Sequence, residues 1–384
     1  MANSLSIGSD LYSDLEVRPL ALQDLPEYLT LLAESPAAMF THSVKFKNLL
    51  EANLGDSSNL YLCAFQGESL LGALPLFFLD GPLGLVVNSL PFYGSHGGLV
   101  SRSDTAPLVA QRLYREMLNI CEEREAFSCT VVESPMSTSR DIEHLERYFP
   151  ADFHDKRIGQ VTYLPESSNR ENAGHELFAQ FHSKTRNMIR KGLSQDFEFS
   201  HEESAEIVST LHHIHSANIS GLGGRPKKSS FFKSIPNLFT YNEDYRVYVA
   251  RQKEVVVSVL LVFYFRDYVE YFTPATREEY RSRQPLSALI FLAMRDAVVE
   301  RGSRRWNWGG TWLGQHGVYA FKSKWGTVDL PYRYHTRIFR SNMRALPDSC
   351  GELQSNLSNW YPDFYVLPYA ILGDFFASDT ERRG

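Results

Sequence analysis

The chain has few cysteines, no excess of positive charge and no long apolar run. Its four cysteines have neither the paired spacing of a zinc site nor the density of a disulfide framework, so we expect buried free thiols in a reducing compartment. A net charge of −6 argues against bulk nucleic-acid binding, although it leaves room for a local basic groove. No window approaches ~18 uninterrupted apolar residues, and no basic start is followed by an apolar core. We therefore expect neither a membrane span nor a signal peptide, which favours a cytoplasmic protein.

Several common catalytic motifs are also missing. The sequence has no serine-hydrolase elbow, P-loop, dinucleotide-binding fingerprint or His-Glu metal motif. We therefore predict no metal and no permanently bound cofactor. At 384 residues, against a typical ~100–200 residues per domain, the chain is long enough for two domains with cores of their own.

The most informative feature present is a repeat. At a fixed shift of 186 residues, and without a gap, 45–78 aligns with 231–264, with Ala64 opposite Ala250. Each copy combines a polar helix end, an alternating strand, a tight polar turn and a longer apolar strand. This pattern is typical of a β-hairpin, and it predicts a duplicated α/β unit.

The repeat extends beyond the hairpins. Each half reads as strand, helix, two strands, loop, helix, strand, helix and strand. We predict an α/β (α+β) fold of tandem duplicated domains, each with a mixed, mainly antiparallel sheet flanked by helices. The predicted divisions are 1–170 for the first domain, 171–195 for a linking helix, 196–340 for the second domain and 341–384 for a C-terminal helical extension packed on the core.

The linking segment is basic. Four cations lie within eight positions of its helical pattern, before a predicted C-cap at Gly192: Lys184, Arg186, Arg190 and Lys191. One interpretation is a solvated helix whose last-turn cations complement the helix dipole. The other is a docking face for phosphate or another anion.

A late segment resembles a known family. Its residues are Asn307-Trp-Gly-Gly310 followed by Gly317-Val-Tyr-Ala-Phe321-Lys322-Ser-Lys-Trp-Gly326. Together with the duplication and the linking segment, they look like the Fem-type peptidoglycan aminoacyltransferases and related tandem GNAT-like acyltransferases. The resemblance covers about 15–340, and its specific part is about 304–326. The family typically has Asp where this chain has Asn307.

The resemblance implies a tandem GNAT fold that moves an acyl or aminoacyl group onto an amine, without a covalent enzyme intermediate. The co-substrate would be acyl-CoA, an acyl-carrier protein or an aminoacyl-tRNA. The acceptor would be a small molecule or an envelope precursor, in cell-envelope or polysaccharide biosynthesis. The coiled-coil arm of some Fem proteins is missing, because 200–242 is too short and too rich in glycine, which makes a tRNA donor less secure. The alternative is a non-catalytic tandem GNAT-like scaffold protein of the same pathway.

Acyl transfer to an amine needs a group that stabilises the developing oxyanion and a base that accepts a proton. It also needs residues that bind the donor. Lys322 is the candidate for the first or the third task, unless it is a surface lysine on a helix that buries Phe321. His316, in a glycine-rich turn, is the candidate base, because imidazole titrates near neutral pH. In the family no side-chain base is compulsory. The motif match adds Asn307 as a catalytic residue, and Gly310 and Phe321 as substrate-binding residues.

Two loops after the hairpins complete the predicted site. In GNAT folds this loop of the second half offers backbone N–H groups to the donor pyrophosphate at a helix N-terminus. The glycines that such a loop needs are absent, so Arg281 and Arg283 either bind phosphate through their side chains or form salt bridges within the loop. In the first half, Tyr93 and His96 either contact the acceptor or belong to a tight turn. The halves are predicted to divide donor and acceptor binding, unless one is only a structural partner.

Overall fold

The computed structural model describes residues 15–90, 92, 96–102, 107–339 and 356–367. Within these residues the chain divides into two compact units. The first unit takes its residues from 15–43, 54–156 and 332–367, and the second from 44–53 and 157–331. Neither unit is a continuous stretch of the sequence.

Apart from the short β5 of the first half, both halves of the sequence contain the same succession of helices and strands. The first half has β1 (Leu15–Pro19), α1 (Leu25–Glu34), α2 (Val44–Asn53), β2 (Ser58–Gln66), β3 (Ser69–Gly81), β4 (Gly84–Ser89), a short β5 (Val100–Ser101), α3 (Pro107–Glu123), β6 (Ala126–Val132), α4 (Ser139–Tyr148) and β7 (Phe153–Tyr163). After α5 (Arg170–Gln180) and α6 (Ser183–Leu193), the second half has β8 (Glu198–His201), α7 (Ala205–Ser220), α8 (Ser229–Leu238), β9 (Tyr245–Gln252), β10 (Val255–Phe265), β11 (Tyr268–Thr276), α9 (Pro285–Arg301), β12 (Arg305–Trp312), α10 (His316–Lys322) and β13 (Thr327–Ile338).

The two hairpins confirm the predicted duplication, since they share an irregularity as well as a pattern. In the β2–β3 pair, Leu71 is the extra residue of a β-bulge beside Ala64. In the β9–β10 pair, Val257 is the extra residue of a β-bulge beside Ala250. Both positions differ by the shift of 186 found in the sequence. The two halves therefore share backbone detail that side-chain patterning alone does not specify.

Each predicted hairpin is extended by a third antiparallel strand. β4 pairs with β3, and β11 pairs with β10. The sequence pattern predicts a loop after the second strand of each hairpin, which is wrong at these positions. In the second half the turn into β11 was hidden because Arg266 takes a left-handed φ of 57°, where glycine, asparagine or aspartate is the usual signal.

The last strand of each half joins the sheet of the other unit. The first unit has the strand order β1-β2-β3-β4-β6-β13, and the second has β7-β12-β11-β10-β9-β8. Pairing is parallel between β4 and β6 and between β11 and β12, and it is antiparallel in the other described pairs, as predicted. The predicted boundaries at 170 and 340 instead place β7 in the first domain and β13 in the second. A strand pattern shows that a strand forms, whereas its partner is chosen by tertiary packing.

The predicted linking helix consists of two helices, both in the second unit and both packed on α9. They are separated by Phe181, which is extended and buried, and by His182, whose ring nitrogen caps α6. The predicted C-cap at Gly192 is wrong, because α6 continues to a C-cap at Ser194.

Most of the predicted C-terminal extension lies outside the described residues. Residues 356–367 belong to the first unit, where the Tyr361 hydroxyl donates to Gly84 O at 2.8 Å and accepts from the Leu83 N–H at 2.8 Å. A Cβ at Gly81 would lie 2.5 Å from the Tyr361 ring, so this contact is close. The described part of the extension is therefore anchored on the turn between β3 and β4.

The cysteines are buried and free, as predicted, at Cys63, Cys121 and Cys129. Cys350 lies outside the described residues. Among the helices that the structure describes, none combines the length and the apolar character needed to cross a membrane.

Candidate active site

The second unit has an opening between its two parallel strands. β11 and β12 pair only through Tyr268–Arg305, Val269–Trp306 and Glu270–Asn307. Beyond this point β11 continues along β10, whereas β12 continues along β7. Within the described strands, the edge of β11 that faces the opening therefore has no strand partner, and such an edge can offer N–H donors to a bound group.

The first unit has no equivalent opening in its described strands. β4 pairs with β6 from Leu85 through Ser89, which is the last residue of β4. The two halves have the same succession of elements but differ at this point. The opening is therefore a property of the second unit.

Asn307 lies at the apex of the opening and is fully buried. Its Nδ2 donates to Glu270 Oε2 at 2.7 Å, and its Oδ1 accepts from the Gly309 N–H at 3.0 Å. The register of β12 against β7 is irregular between Asn307 and Gly310, and Gly309 has a φ of 72°, a conformation that favours glycine. An aspartate at this position would place a second carboxylate against Glu270, so the departure from the Fem pattern has a physical reason here.

Glu270 is the functional candidate that the sequence analysis missed. It is 7% exposed, and burial raises the pKa of its carboxyl group to about 8, against the opposing effects of the Asn307 hydrogen bond and the Lys322 charge. A carboxyl group that titrates near neutral pH is suited to accept a proton. The available signal was one acidic residue within the otherwise apolar and aromatic start of β11, since a buried carboxyl group needs a partner.

Lys322, the last residue of α10, is also 7% exposed. Its Nζ donates to Gly309 O and Gly310 O, both at 3.3 Å, and to Thr311 Oγ1 at 3.0 Å. Burial lowers the pKa of its ammonium group to about 8, and the charge of Glu270 opposes this shift. Three acceptors match the three N–H donors of an ammonium group, so Lys322 fixes the bulged backbone of β12 and adds a positive charge that acts on Glu270.

Aromatic rings hold α10 against β12. The ring centroid of Trp308 lies 6.1 Å from that of Phe321 and 5.4 Å from that of Trp325. Trp308 Nε1 donates to Thr162 Oγ1 at 2.9 Å, and that hydroxyl donates to Trp325 O at 3.0 Å. Phe321, which is predicted to bind substrate, packs among these aromatic rings and thereby supports the position of Lys322.

His316 lies apart from the cluster of Glu270, Asn307 and Lys322. It is exposed at the first residue of α10, whereas Lys322 is buried at the last residue. The hydrogen bonds of Asn307 and Lys322 do not include it. The role of His316 as a base stays a prediction, and Glu270 is better placed for it.

The start of α9, where a GNAT fold would hold a pyrophosphate, is closely packed. Gln284 has a left-handed φ of 63°, and its Oε1 accepts from the Ser287 hydroxyl at 3.0 Å. Arg283 forms an ion pair with Asp196, and Arg281 is exposed. Phosphate binding by Arg281 and Arg283 stays a prediction, and Arg283 would first have to leave Asp196.

α6 packs against the same end of α9 without spare room. A Cβ on Gly192 would lie 2.4 Å from Gln284 O and 3.0 Å from Ala288 Cβ. We expect Gly192→Ala to lower the free energy of unfolding by about 1–3 kcal/mol, because the two helices must separate. Chemical denaturation measures the change. Gly174→Ala is the control, since its Cβ would lie 3.5 Å from the nearest atom; an equal loss in both variants would contradict the close packing.

The predicted basic face divides into two parts. Arg186 Nη1 donates to Phe178 O at 3.3 Å and to Phe181 O at 2.9 Å, so it closes the end of α5. The guanidinium of Arg190 lies 5.4 Å from the centroid of the Phe178 ring. Arg186 and Arg190 line one cleft, whereas Lys191 is exposed and does not line it.

The predicted acceptor residues of the first unit are only partly described. Tyr93 lies outside the described residues, and His96 is fully buried with its ring 5.3 Å from that of Tyr332. A Cβ on Gly98, which has a φ of 88°, would lie 2.3 Å from Val132 O. Close packing therefore requires a glycine in this loop, as the tight-turn alternative expects. An acceptor contact by His96 stays a prediction.

A buried carboxylate and imidazole pair lies in the first unit. Glu133 Oε1 and His335 Nε2 are 2.6 Å apart, and Glu133 Oε2 accepts from the Arg333 N–H at 2.7 Å. Sequence reasoning singled out neither residue. In the part of the chain that the structure describes, no group of His, Cys, Asp and Glu side chains is placed to hold a metal ion.

Comparison with known proteins finds a family match in the second half of the chain. Residues 179–323 match the model of the Acetyltransferase (GNAT) domain. A FemX crystal structure is 13% identical, with 83% of this chain and 96% of that chain covered and a TM-score of 0.63. A tandem GNAT protein from the clavulanic acid biosynthesis pathway is 13% identical, with 87% and 99% covered and a TM-score of 0.55. The C-terminal DUF2156 domain of an Agrobacterium fabrum protein is 12% identical, with 90% and 99% covered and a TM-score of 0.54.

At such low identities these structures show a shared fold and nothing more. No curated protein matches the sequence.

Proposed function

We propose that the chain is a tandem GNAT-like acyltransferase that transfers an acyl or aminoacyl group from a thioester or tRNA ester to an amine, in keeping with the match of residues 179–323 to the GNAT acetyltransferase domain model. The observation that carries the proposal is the buried cluster of Glu270, Asn307 and Lys322 at the opening between β11 and β12. Transfer takes place in the second unit, because the first unit has no such opening in its described strands.

Glu270 acts as the base. An aliphatic amine, with a pKa of roughly 10, is mostly protonated near neutral pH and must lose a proton before it can attack. The ionised carboxylate of Glu270 takes that proton, the amine nitrogen bonds to the ester carbonyl carbon, and the bond to the sulfur or oxygen of the donor breaks. The nitrogen still carries one proton more than an amide and gives it to the leaving thiolate or alkoxide, and Glu270 releases the proton that it took to water before the next cycle.

Lys322 and Asn307 hold this base and the adjoining backbone in position. Asn307 donates to Glu270 while it accepts from the Gly309 N–H, and Lys322 binds the carbonyl groups of Gly309 and Gly310. The positive charge of Lys322 favours the ionised form of Glu270. The developing oxyanion is stabilised by N–H groups of β11 at the unpaired edge, where donors fixed in advance are most effective.

The acceptor and the pathway rest on other grounds. A small-molecule or envelope-precursor acceptor in cell-envelope or polysaccharide biosynthesis is supported by the resemblance to Fem-type enzymes. The close packing at the start of α9 argues that the donor is bound by residues other than the usual pyrophosphate loop. Acyl-CoA, acyl-carrier protein and aminoacyl-tRNA all supply an ester of the required reactivity.

A donor screen tests the proposal. The purified chain is mixed with acyl-CoAs, acyl-carrier proteins and charged tRNA, each with a panel of amines, while thermal shift reports binding and mass spectrometry reports the amide product. We expect one donor class to bind and to yield an amide, and Arg281→Ala to weaken its binding if that residue holds phosphate. Binding of an acyl donor without any amide would support the scaffold alternative, and no binding by any donor would overturn the enzyme proposal.

A further inference from the structure

A cleft of about 720 Å³ lies on the second unit among α5, α6 and α9. None of the residues that line it belongs to the cluster of Glu270, Asn307 and Lys322. Its lining combines two aromatic rings with four arginines: Phe178, Phe291, Arg170, Arg186, Arg190 and Arg295. In a chain with a net charge of −6, this is a local concentration of positive charge.

The positive charge of the cleft is only partly neutralised. Arg170 pairs with Glu300, and Arg295 lies 3.7 Å from Asp296. Among the described residues, no ion pair joins a carboxylate to Arg186 or Arg190, whose recorded acceptors are backbone and amide oxygens. Glu171 is the acidic residue of the lining. The cleft therefore retains a surplus of positive charge that an anion would neutralise.

Arg295, which lines the cleft, has a donor that lacks an acceptor in the described part of the chain. The Nε of Arg295 is buried and has no hydrogen-bond partner among the described residues. An unsatisfied buried donor costs free energy, and a bound acceptor group would remove that cost. The planar guanidinium fork suits the oxygen atoms of a phosphate group.

The lining also has an aromatic part. The rings of Phe178 and Phe291 meet edge to face, with centroids 4.8 Å apart. Arg190 extends over the Phe178 ring, so a cation and an aromatic face lie side by side. The volume falls within the range of roughly 300–1,000 Å³ that small-molecule sites have.

We propose that this cleft binds a phosphate ester of an aromatic group, of the size of a nucleotide. Arg190 and Arg295 hold the phosphate, and Phe178 and Phe291 contact the ring. The site is independent of the acyl-transfer chemistry, so either proposal can fail without the other.

Calorimetric titration of the full chain tests the site with three probes: adenosine 5′-monophosphate, phenyl phosphate and inorganic phosphate. We expect both aromatic phosphates to bind more tightly than inorganic phosphate. Arg190→Gln and Arg295→Gln should each weaken that binding by about tenfold or more, which is the loss of one charge-assisted hydrogen bond. Arg304→Gln is the matched control, because Arg304 pairs with Glu166 outside the cleft and its loss should leave binding unchanged.

Two results would overturn the site. Equal affinity for inorganic and aromatic phosphates would show that the rings take no part, and undiminished binding in both cleft variants would place the ligand elsewhere. A matching melting temperature for each variant shows that a loss of binding is not a loss of folding. Absence of binding by all three probes would also reject the proposal.

Discussion

Glu270→Gln is expected to lower kcat/KM for amide formation by roughly 100-fold or more, since general base catalysis contributes on the order of 10²–10⁴. The substitution keeps the shape of the side chain and an oxygen that can accept from Asn307 Nδ2. It removes only the group that takes the proton. The rate is measured with the donor that the screen identifies, and amide is quantified by mass spectrometry.

The dependence on pH separates this role from a structural one. Because burial raises the pKa of Glu270 to about 8, the ionised base form is scarce below that pH and abundant above it. We expect the wild-type kcat/KM to rise with pH and to level off above about 8, with the apparent pKa shared by Glu270 and Lys322 because their charges interact. The Gln variant should lose this rise. A variant with a low rate but the wild-type profile would show that another group is the base.

The folded state should tolerate this change. A raised pKa means that folding disfavours the carboxylate, so the penalty is absent below the unfolded pKa of about 4.5 and is complete above about 8. Neutral glutamine avoids that penalty. The stability of Glu270→Gln, relative to the wild type, should therefore increase from pH 5 to pH 9, as denaturation at the two pH values would show.

Lys322→Met is expected to lower kcat/KM by at least about 30-fold, or about 2 kcal/mol of transition-state stabilisation. Methionine keeps the packed stem but removes the donor to Gly309 O, Gly310 O and Thr311 Oγ1. It also removes the positive charge that lowers the pKa of Glu270. The pH profile should therefore shift to higher pH as well as to lower rate.

Lys324→Met is the matched control for Lys322. The two lysines are two residues apart, but the recorded bonds of Lys324 are those that its backbone oxygen accepts from Thr185 and His182. We expect this control to keep the wild-type rate and profile. If Lys322→Met has wild-type turnover with unchanged folding, Lys322 is no part of the site. A lower rate with an unshifted pH profile would show that Lys322 acts through its contacts with the backbone of β12 and not through its charge on Glu270.

Glu270 is the part of the site that could not be predicted from the sequence. Lys322 and Asn307 belong to a recognisable motif, whereas Glu270 belongs to none. The carboxylate becomes part of the cluster because β11 and β12 pair in parallel at the register that places Glu270 beside Asn307. Thirty-six residues separate the two positions, and no local pattern encodes such a register. Arg283 shows the same limit, since its loop position predicts a phosphate ligand or a salt bridge within the loop, whereas its ion pair is with Asp196, 87 residues away.

The sequence by itself determined the duplication, the hairpins and the succession of helices and strands, because apolar periodicity and turn residues act over short distances along the chain. The tertiary structure decided which unit each closing strand joins, that α2 belongs with α8 in the second unit, and that only the second unit opens between its described parallel strands. Strand partners and helix docking are chosen by complementary surfaces from distant parts of the chain, and two copies of one pattern present nearly equal local signals for either choice.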